Sequence, residues 1–438
     1  MSTVTTLRQP DVDYLDALLT SQMQLSASPW VHINTLRAEG VARLDGLQMP
    51  TLRDEEWRFT DLAALTRFSF EPVRSASPLQ EEDLAPFYLD DAPHRLVFVD
   101  GFYMPQLSGQ ATESGVLVTG LSAIKAEDAA LIEAQFGRHQ ATSDNVFAAL
   151  NTAFLQDAAL IIIKRNVTLE APVHVLFIAT QAGVASHPRC LLVAGSGSSV
   201  TLIEDYVALQ DRPYLINPVT EIALADHAHV KHMRVQRDSH QAFHIANCTV
   251  SAGHASHYQS VSIAMGAQIS RYSLNVMLAE GAECSVDGLT LIAGSQLADT
   301  HTRIDHAKPH GVSRQLHKCI ADGSAHAVFN GKVMVRQGAQ HTDSVQSSRN
   351  LLLSAKAQVD TKPELEIFAD DVKCAHGATV GQLDLEKVFY LKSRGLSDDA
   401  ARSLLTYGFA GEIIDRIPVG SLKHQLQRRV LAKTGSQP

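Results

Sequence analysis

The chain has too few basic residues for a general nucleic-acid-binding protein. Its 438 residues include 37 Lys and Arg against 47 Asp and Glu, which gives a formal net charge of −10. Binding to phosphate groups requires a surplus of Lys and Arg on some face of the protein, and the sequence contains no long basic tract. The composition, 45% hydrophobic and 19% charged, is otherwise that of an ordinary globular protein.

Long apolar runs are also missing. A membrane-spanning helix needs about 18 or more apolar residues in succession, whereas the longest candidate run, Ala158 to Ile163, has the length of a strand. The N-terminal sequence MSTVTTLRQPDVDYLDALL contains no basic region followed by an apolar run and a small-residue cleavage site. It therefore does not predict a secretory signal, and we expect a cytoplasmic protein that makes no membrane contact.

Cysteine is scarce and scattered. The five cysteines are separated along the chain and form no CxxC pair: Cys190, Cys248, Cys284, Cys319 and Cys374. Self-contained zinc and iron–sulfur sites usually draw on clustered cysteines. Any metal held by this chain would therefore need ligands from elsewhere.

A loose internal repeat begins near residue 190. Segments such as LVAGSGSSVTLIEDY, MGAQISRYSLNVML and ADGSAHAVFNGKVMV each combine a small-residue turn with an alternating strand, and most recur at intervals of about 12 to 18 residues. So short a unit cannot bury its apolar face alone and must stack on its neighbours. The pattern predicts a parallel β-helix, with an antiparallel sandwich as the lesser alternative.

Helical patterns flank the repeat. Apolar residues recur at helical spacing in SPWVHINTLRAEGVARLDGL, with Ser28 and Pro29 at the expected start. After about residue 382, Gly395 is placed to end one helix and Ser397 to cap the next, and an amphipathic helix closes the chain. We predict an N-terminal helical region over residues 1–90, a β-helix core over 91–381 and a C-terminal helical region over 382–438.

The segment VKCAHGATVG contains the pair of side chains most suggestive of chemistry. On a strand, Cys374 and His376 project from the same face with Cβ atoms about 6.5 to 7 Å apart. Both could reach one metal, but two ligands do not complete a tetrahedral site. A Cys/His nucleophilic dyad would need direct contact and a third orienting group. A structural cysteine beside a hydrogen-bonded histidine is the third interpretation.

Two further patterns favour structural explanations. Histidines crowd residues 227–257, but strand alternation places them on mixed faces, which favours a solvated outer face over a metal store. His301, His306 and His310 are interpreted as structural hydrogen-bonding groups. The run beginning at Gly195, GSGSSV, lacks the Lys-Ser/Thr of a P-loop and the third glycine of a dinucleotide fingerprint, so it predicts a tight turn.

Several long stretches resemble the SufB/SufD family, the β-helical core subunits of the SUF iron–sulfur cluster assembly system. They are PTLRDEEWRFTDL, DTHTRIDH, the stretch from VFNGKVMVRQGAQHTDSV to DDVKCAHGATVGQLD, and VFYLKSRGLSDDAARSLLTYGFAGEI. The stretches after Asp299 cover about a third of the chain. Within the family the SufD members are the closer likeness, because the cysteine-rich N-terminal motif of many SufB chains is absent.

The resemblance implies a right-handed parallel β-helix and a non-catalytic scaffold that assembles with a SufB-like subunit and a SufC-like ABC ATPase. It maps a candidate interface ligand onto His376 and a weaker candidate onto Cys374, with a cysteine ligand coming from the SufB-like chain. It implies no stably bound cofactor, only a transient iron or iron–sulfur cluster at the interface, and a homodimer is a further expectation for the isolated chain. The candidate ATPase-docking residues are Tyr390, Arg394, Leu404, Tyr407 and Phe409.

Two other functions are compatible with a β-helix. The first is a carbohydrate-active lyase or esterase, although no paired-carboxylate motif stands out in this sequence. The second is an interaction protein that binds no metal. Cleavage of polysaccharides by this chain would indicate the enzyme and not a scaffold. Cluster formation together with partner chains would exclude the interaction protein that binds no metal.

Overall fold

The structure is a computed structural model that describes residues 14–22, 25–28, 30–109, 113–138 and 145–433. Pro29, expected at a helix start, lies outside these residues. The α-helices are α1 (Tyr14–Gln22), α2 (Val31–Leu44), α3 (Ala63–Thr66), α4 (Glu81–Leu84), α5 (Ala129–Glu133), α6 (Val146–Ala153), α7 (Leu385–Ser393), α8 (Asp398–Ile414) and α9 (Gly420–Lys433). Short 3-10 helices span Glu55–Trp57, Ala85–Phe87, Pro105–Leu107, Leu121–Ala123 and Ala126–Asp128.

Strands make up most of the rest of the described chain. The first eleven are β1 (Glu71–Pro72), β2 (His94–Val99), β3 (Phe102–Tyr103), β4 (Val116–Gly120), β5 (Ala159–Ile163), β6 (Val173–Ala179), β7 (Val184–Ser186), β8 (Arg189–Ala194), β9 (Ser199–Ala208), β10 (Leu215–Ile216) and β11 (Val219–Leu224). The remainder are β12 (His229–Arg237), β13 (Phe243–Ala252), β14 (His257–Ala264), β15 (Ile269–Leu278), β16 (Glu283–Ile292), β17 (Leu297–His306), β18 (Val312–Ala321), β19 (His326–Val335), β20 (Asp343–Leu352), β21 (Gln358–Ile367) and β22 (Lys373–Gln382).

Successive strands alternate between two parallel sheets. From β11 onward, odd-numbered strands stack in one sheet in the order β11-β13-β15-β17-β19-β21, and even-numbered strands from β12 to β22 stack in the other. Each pair of strands is therefore one turn of a solenoid of about eight turns. This confirms the parallel β-helix flanked by helices, and the tight turn predicted at GSGSSV joins β8 to β9, which begins at Ser199 within this run.

In-phase stacking creates ladders of side chains that face the lumen, the space enclosed between the two sheets. One ladder runs through Val230, Tyr258, Cys284, Ser313, Ser344 and Cys374. A second runs through His232, Ser260, Val286, Gln315, Gln346 and His376. All members except the two on β22 are buried. The lumen thus becomes more polar toward the C-terminal turns.

The N-terminal region is attached to the outer face of the odd-numbered sheet by polar contacts. The Thr60 hydroxyl donates to Asp299 at 2.5 Å, and the guanidinium of Arg271 lies 3.9 Å from the centre of the Trp57 ring. Helix α6 is fixed to the same sheet by Arg189, whose Nε donates to Glu221 at 3.0 Å while Nη1 donates to Asn151 at 2.9 Å. These contacts hold residues distant in sequence against one solenoid face.

Helices α8 and α9 cover the outer face of the even-numbered sheet. Their apolar side chains, including Ile413, Leu422 and Leu426, join one buried cluster with sheet residues such as Val261 and Leu289. The predicted capping is confirmed: the Ser397 hydroxyl accepts from the Ala400 N–H at 3.2 Å, and Gly395 has φ of 99°. The helices therefore lie along the side of the solenoid and leave its last strand exposed.

Across the described ranges, no helix is both long enough and apolar enough to cross a membrane.

Candidate partner-facing site at the C-terminal end of the solenoid

Strand β22 is an open edge of the even-numbered sheet. It pairs with β20 on one side, and within the described chain no strand pairs with its other side. The Lys373 N–H donates to the Thr342 carbonyl at 2.8 Å, on the β20 side. Because successive residues direct their backbone groups to opposite sides of a strand, the N–H groups of Cys374, His376, Ala378 and Val380 face the open edge.

The edge of the neighbouring sheet is blocked, whereas the edge at β22 is not. Proteins protect exposed edges with proline and charged side chains. Strand β21 contains Pro363 between Lys362 and Glu364, and Glu366 follows. Strand β22, with the sequence KCAHGATVGQ, contains no proline and has its only Lys, Arg, Asp or Glu at its first position. The β22 edge is therefore the one suited to pairing with another strand.

The structure places Cys374 and His376 together at this edge, as the last members of the two lumen ladders. Cys374 stacks on Ser344 and His376 on Gln346. Cys374 is half-buried against an end cluster that includes Val335, Ala369 and Val372, and burial raises the pKa of its thiol. His376 is exposed.

Polar groups continue into the lumen below His376. The Gln346 side-chain amide donates to Gln315 at 2.8 Å, and the Gln315 amide donates to the Thr302 hydroxyl at 2.9 Å. The Thr361 hydroxyl donates to Ser348 at 3.1 Å. The floor beneath His376 is therefore a hydrogen-bonded polar layer.

A metal ion at this edge would need more ligands than the described residues bring together. No group of three His, Cys, Asp or Glu side chains among them is arranged to hold a metal ion. Cys374 and His376 can contribute two ligands on one face, and a neutral imidazole and a thiolate both bind transition metals. The raised pKa of Cys374 disfavours its thiolate in the isolated chain.

Apolar side chains surround the open end. Val380 is 50% exposed, Ile367 40% and Phe368 62%. Just beyond β22, helix α7 exposes Leu385, Phe389 and Tyr390 at 69%, 73% and 56%. Leu385 and Phe389 were not among the candidate docking residues, although both lie in the helix predicted to end at Gly395.

The five candidate docking residues occupy different environments. Tyr390 is exposed and Arg394 lies over its ring, with the guanidinium 5.3 Å from the ring centre. Leu404 is 47% exposed, and Tyr407 is half-buried against the α8 and α9 cluster. Phe409 packs inward, because its ring lies 4.3 Å from the Lys318 ammonium and its carbonyl accepts from the same group at 2.9 Å.

The other histidines divide between surface and lumen. His229 and His257 are exposed and stack at 4.6 Å, but His232 and His244 are fully buried, so a solvated face is wrong for these two. His232 binds Glu204 at 2.7 Å, and His244 binds Asp238 at 2.8 Å.

The structural interpretation holds for two of the three later histidines. His301 lies 3.0 Å from both Asp299 and Glu56. Burial lowers its pKa, but the two carboxylates outweigh burial and raise it. His306 binds the Ser313 hydroxyl at 2.9 Å, and burial lowers its pKa to about 4. His310 instead stacks on His341 at 4.9 Å.

Fold and site together define a parallel β-solenoid with one unprotected strand edge, where Cys374 and His376 lie on the same face. The description "SufBD protein N-terminal region" matches residues 9–175, and "SUF system FeS cluster assembly, SufBD core domain" matches residues 177–409. The chain belongs to the SufB/SufD family, and its likeness to the SufD members is confirmed. This membership supports a role in iron–sulfur cluster assembly.

Relatives match along nearly the whole chain. An iron-sulfur cluster assembly SufBD family protein of Synechocystis is 41% identical over 98% of this chain and 97% of its own length. The iron-sulfur cluster assembly protein SufD of Escherichia coli is 32% identical over 92% of this chain and 95% of its own. SufD of Bacillus subtilis is 28% identical over 90% and 92%, respectively.

Proposed function

We propose that the chain is a non-catalytic scaffold subunit of a SUF complex, which pairs with a SufB-like chain through β22 and docks a SufC-like ATPase on its C-terminal helices. The observation that carries this proposal is the contrast between the blocked edge at β21 and the unblocked edge at β22. An unprotected strand with apolar neighbours is a template for a second chain.

In this arrangement His376 supplies one ligand to a nascent cluster, which is cargo and not a resident cofactor. The site is shared, because the described residues provide too few ligands and the second chain supplies the rest. An incomplete site suits a cluster that must be released after assembly. Cys374 is the weaker candidate, since its thiol is half-buried among apolar side chains.

The proposed ATPase surface is centred on α7 and the first half of α8. Leu385, Phe389, Tyr390 and Leu404 form its exposed apolar part, and Arg394 adds a charge beside Tyr390. Tyr407 and Phe409 support this surface from within the helical layer. Clusters of exposed aromatic and aliphatic side chains of this kind are typical of protein interfaces. The cytoplasmic location and the domain boundaries at 90 and 381 remain predictions.

Co-expression with SufB-like and SufC-like chains tests the proposal. We expect the wild-type chain to co-purify with both partners, and His376→Ala to retain both partners but lose most cluster assembly. His424→Ala, at an exposed histidine on α9, is the matched control and should assemble clusters normally. Failure of the wild-type chain to co-purify would refute the scaffold role. Normal assembly by both His376→Ala and Cys374→Ala would refute only the ligand assignment.

The docking surface is tested separately. Phe389→Ser should release the ATPase while the SufB-like chain remains bound. Retention of the ATPase by this variant would contradict the placement of the surface on α7.

A further inference from the structure

A large cavity lies on the opposite side of the molecule from α8 and α9. Its volume is about 1220 Å³, above the range of about 300 to 1,000 Å³ usual for small-molecule pockets. Its floor is the outer face of β15, β17 and β19, and its wall is the N-terminal segment from Gly46 to Trp57. It is separate from the strand edge that carries Cys374 and His376.

The cavity has an excess of positive charge although the chain is acidic overall. Its cationic lining residues are Arg53, Arg271, Arg303 and Lys332, and its carboxylates are Asp54 and Glu56. The Asp54 carboxylate accepts from the Thr51 N–H at 2.7 Å, and Glu56 lies 3.0 Å from His301. Both carboxylates are thus engaged with groups in the wall or floor.

Two of the cations are direct neighbours on adjacent strands. Arg303 of β17 stands opposite Lys332 of β19, and like charges in this relationship destabilise a sheet. Lys332 is compensated by Glu366 at 2.6 Å, but the nearest carboxylate to Arg303, that of Asp305, is 3.9 Å away. An anion seated between Arg303 and Lys332 would relieve this repulsion.

The floor also contains a buried, ion-paired arginine, Arg271, with one N–H group that has no acceptor among the described residues. The Arg271 side chain is only 4% exposed; its Nη1 donates to the buried Asp299 carboxylate and lies 3.1 Å from His301. Its Nε has no hydrogen-bond partner within the described residues. Neutral polar groups complete the floor, with Ser273 and Asn330 flanking His301 and Asn275 flanking Arg303 in register.

We propose that this cavity binds a small molecule that carries a phosphate or carboxylate group, held between Arg303 and Lys332. Arginine donates to such oxyanions in bidentate geometry, and lysine adds a point charge. The neutral side chains Ser273, Asn275 and Asn330 provide hydrogen bonds to the rest of the ligand. This site does not depend on a partner chain.

Calorimetric titration of the full chain with pyrophosphate and, separately, citrate tests the proposal. We expect at least one of them to bind with a Kd below about 1 mM, and Arg303→Gln and Lys332→Gln each to weaken binding at least about tenfold. Binding of pyrophosphate alone would identify a phosphate site, and binding of citrate alone a carboxylate site.

The matched control is Arg314→Gln on the even-numbered sheet, since Arg303 and Arg314 are both 46% exposed. This variant should bind as the wild type does. Absence of binding by both probes, or equal losses in Arg303→Gln and Arg314→Gln, would overturn the proposal.

Discussion

Proline substitution at two alanines of β22 separates partner pairing from folding. The Ala378 N–H faces the open edge, whereas the Ala375 N–H faces β20, as deduced from the hydrogen bond of Lys373 to Thr342. Proline is tolerated where an edge strand directs its N–H outward, and Pro363 occupies such a position in β21. Ala378→Pro should therefore leave the isolated chain folded but prevent one hydrogen bond to a partner strand.

The expected loss of binding affinity in Ala378→Pro follows from the carbonyl of the partner strand that is left without a donor. A buried carbonyl without a donor costs about 1 to 3 kcal/mol, which corresponds to a rise in Kd of about 5- to 150-fold. In Ala375→Pro the same cost falls on the hydrogen bond to β20, so the free energy of unfolding should drop by about 1 to 3 kcal/mol. The free energy of unfolding of Ala378→Pro should stay within about 0.5 kcal/mol of the wild type.

The assay has two readouts for each variant: urea unfolding of the isolated chain and the Kd for a SufB-like partner by calorimetry. The expected pattern is weakened binding with unchanged stability for Ala378→Pro, and reduced stability for Ala375→Pro. If Ala378→Pro binds the partner with wild-type affinity, pairing through the β22 edge is wrong.

Three further predictions concern stability. Glu221→Gln leaves the buried Arg189 guanidinium without its anion and should lower the free energy of unfolding, measured by urea titration, by about 3 to 5 kcal/mol. Asp343→Asn, which breaks an exposed pair with Arg314, should lower it by less than about 1 kcal/mol. Equal losses in the two variants would contradict the role of burial. Lys318→Met removes the donor to the Phe409 carbonyl, so amide hydrogen exchange should accelerate in α8 but not in β18. Unchanged exchange in α8 would show that this contact does not hold the helix against the sheet. Burial lowers the pKa of His187 and His317 to about 3 and that of His306 to about 4. Because the unfolded pKa is about 6.5, the unfolded state takes up more protons below that pH, so the free energy of unfolding should fall as the pH decreases toward 4, by up to about 4 kcal/mol per pH unit for the three histidines together. His317→Gln should reduce this slope by the equivalent of about one proton, and an unchanged slope would contradict the prediction.

The sequence predicted the solenoid because its repeat is local. Turn residues and alternating strands recur at nearly constant spacing, and His229, Phe243 and His257 begin successive strands 14 residues apart. The stacking of Cys374 on Ser344 and of His376 on Gln346 follows once this repeat is in phase. The same-face placement of the two side chains could therefore be predicted before the structure was known.

The charged cavity could not be predicted in the same way. Arg271, Arg303 and Lys332 are separated by whole turns of the solenoid, and the wall comes from residues 46–57, so their proximity depends on register and on docking of the N-terminal segment. The burial of His232 and His244 was missed for a related reason. Their carboxylate partners Glu204 and Asp238 make a buried imidazole favourable, and periodicity alone does not identify such pairs.

Amide hydrogen exchange of β22, with and without a SufB-like chain, tests the scaffold account most directly. If the chain pairs through β22, new protection is expected at Cys374, His376, Ala378 and Val380, whose N–H groups face the open edge, while Ala375, Gly377 and Thr379 are already protected by β20. Unchanged exchange at the four edge amides, in a complex shown to form by co-purification, would contradict pairing through this strand.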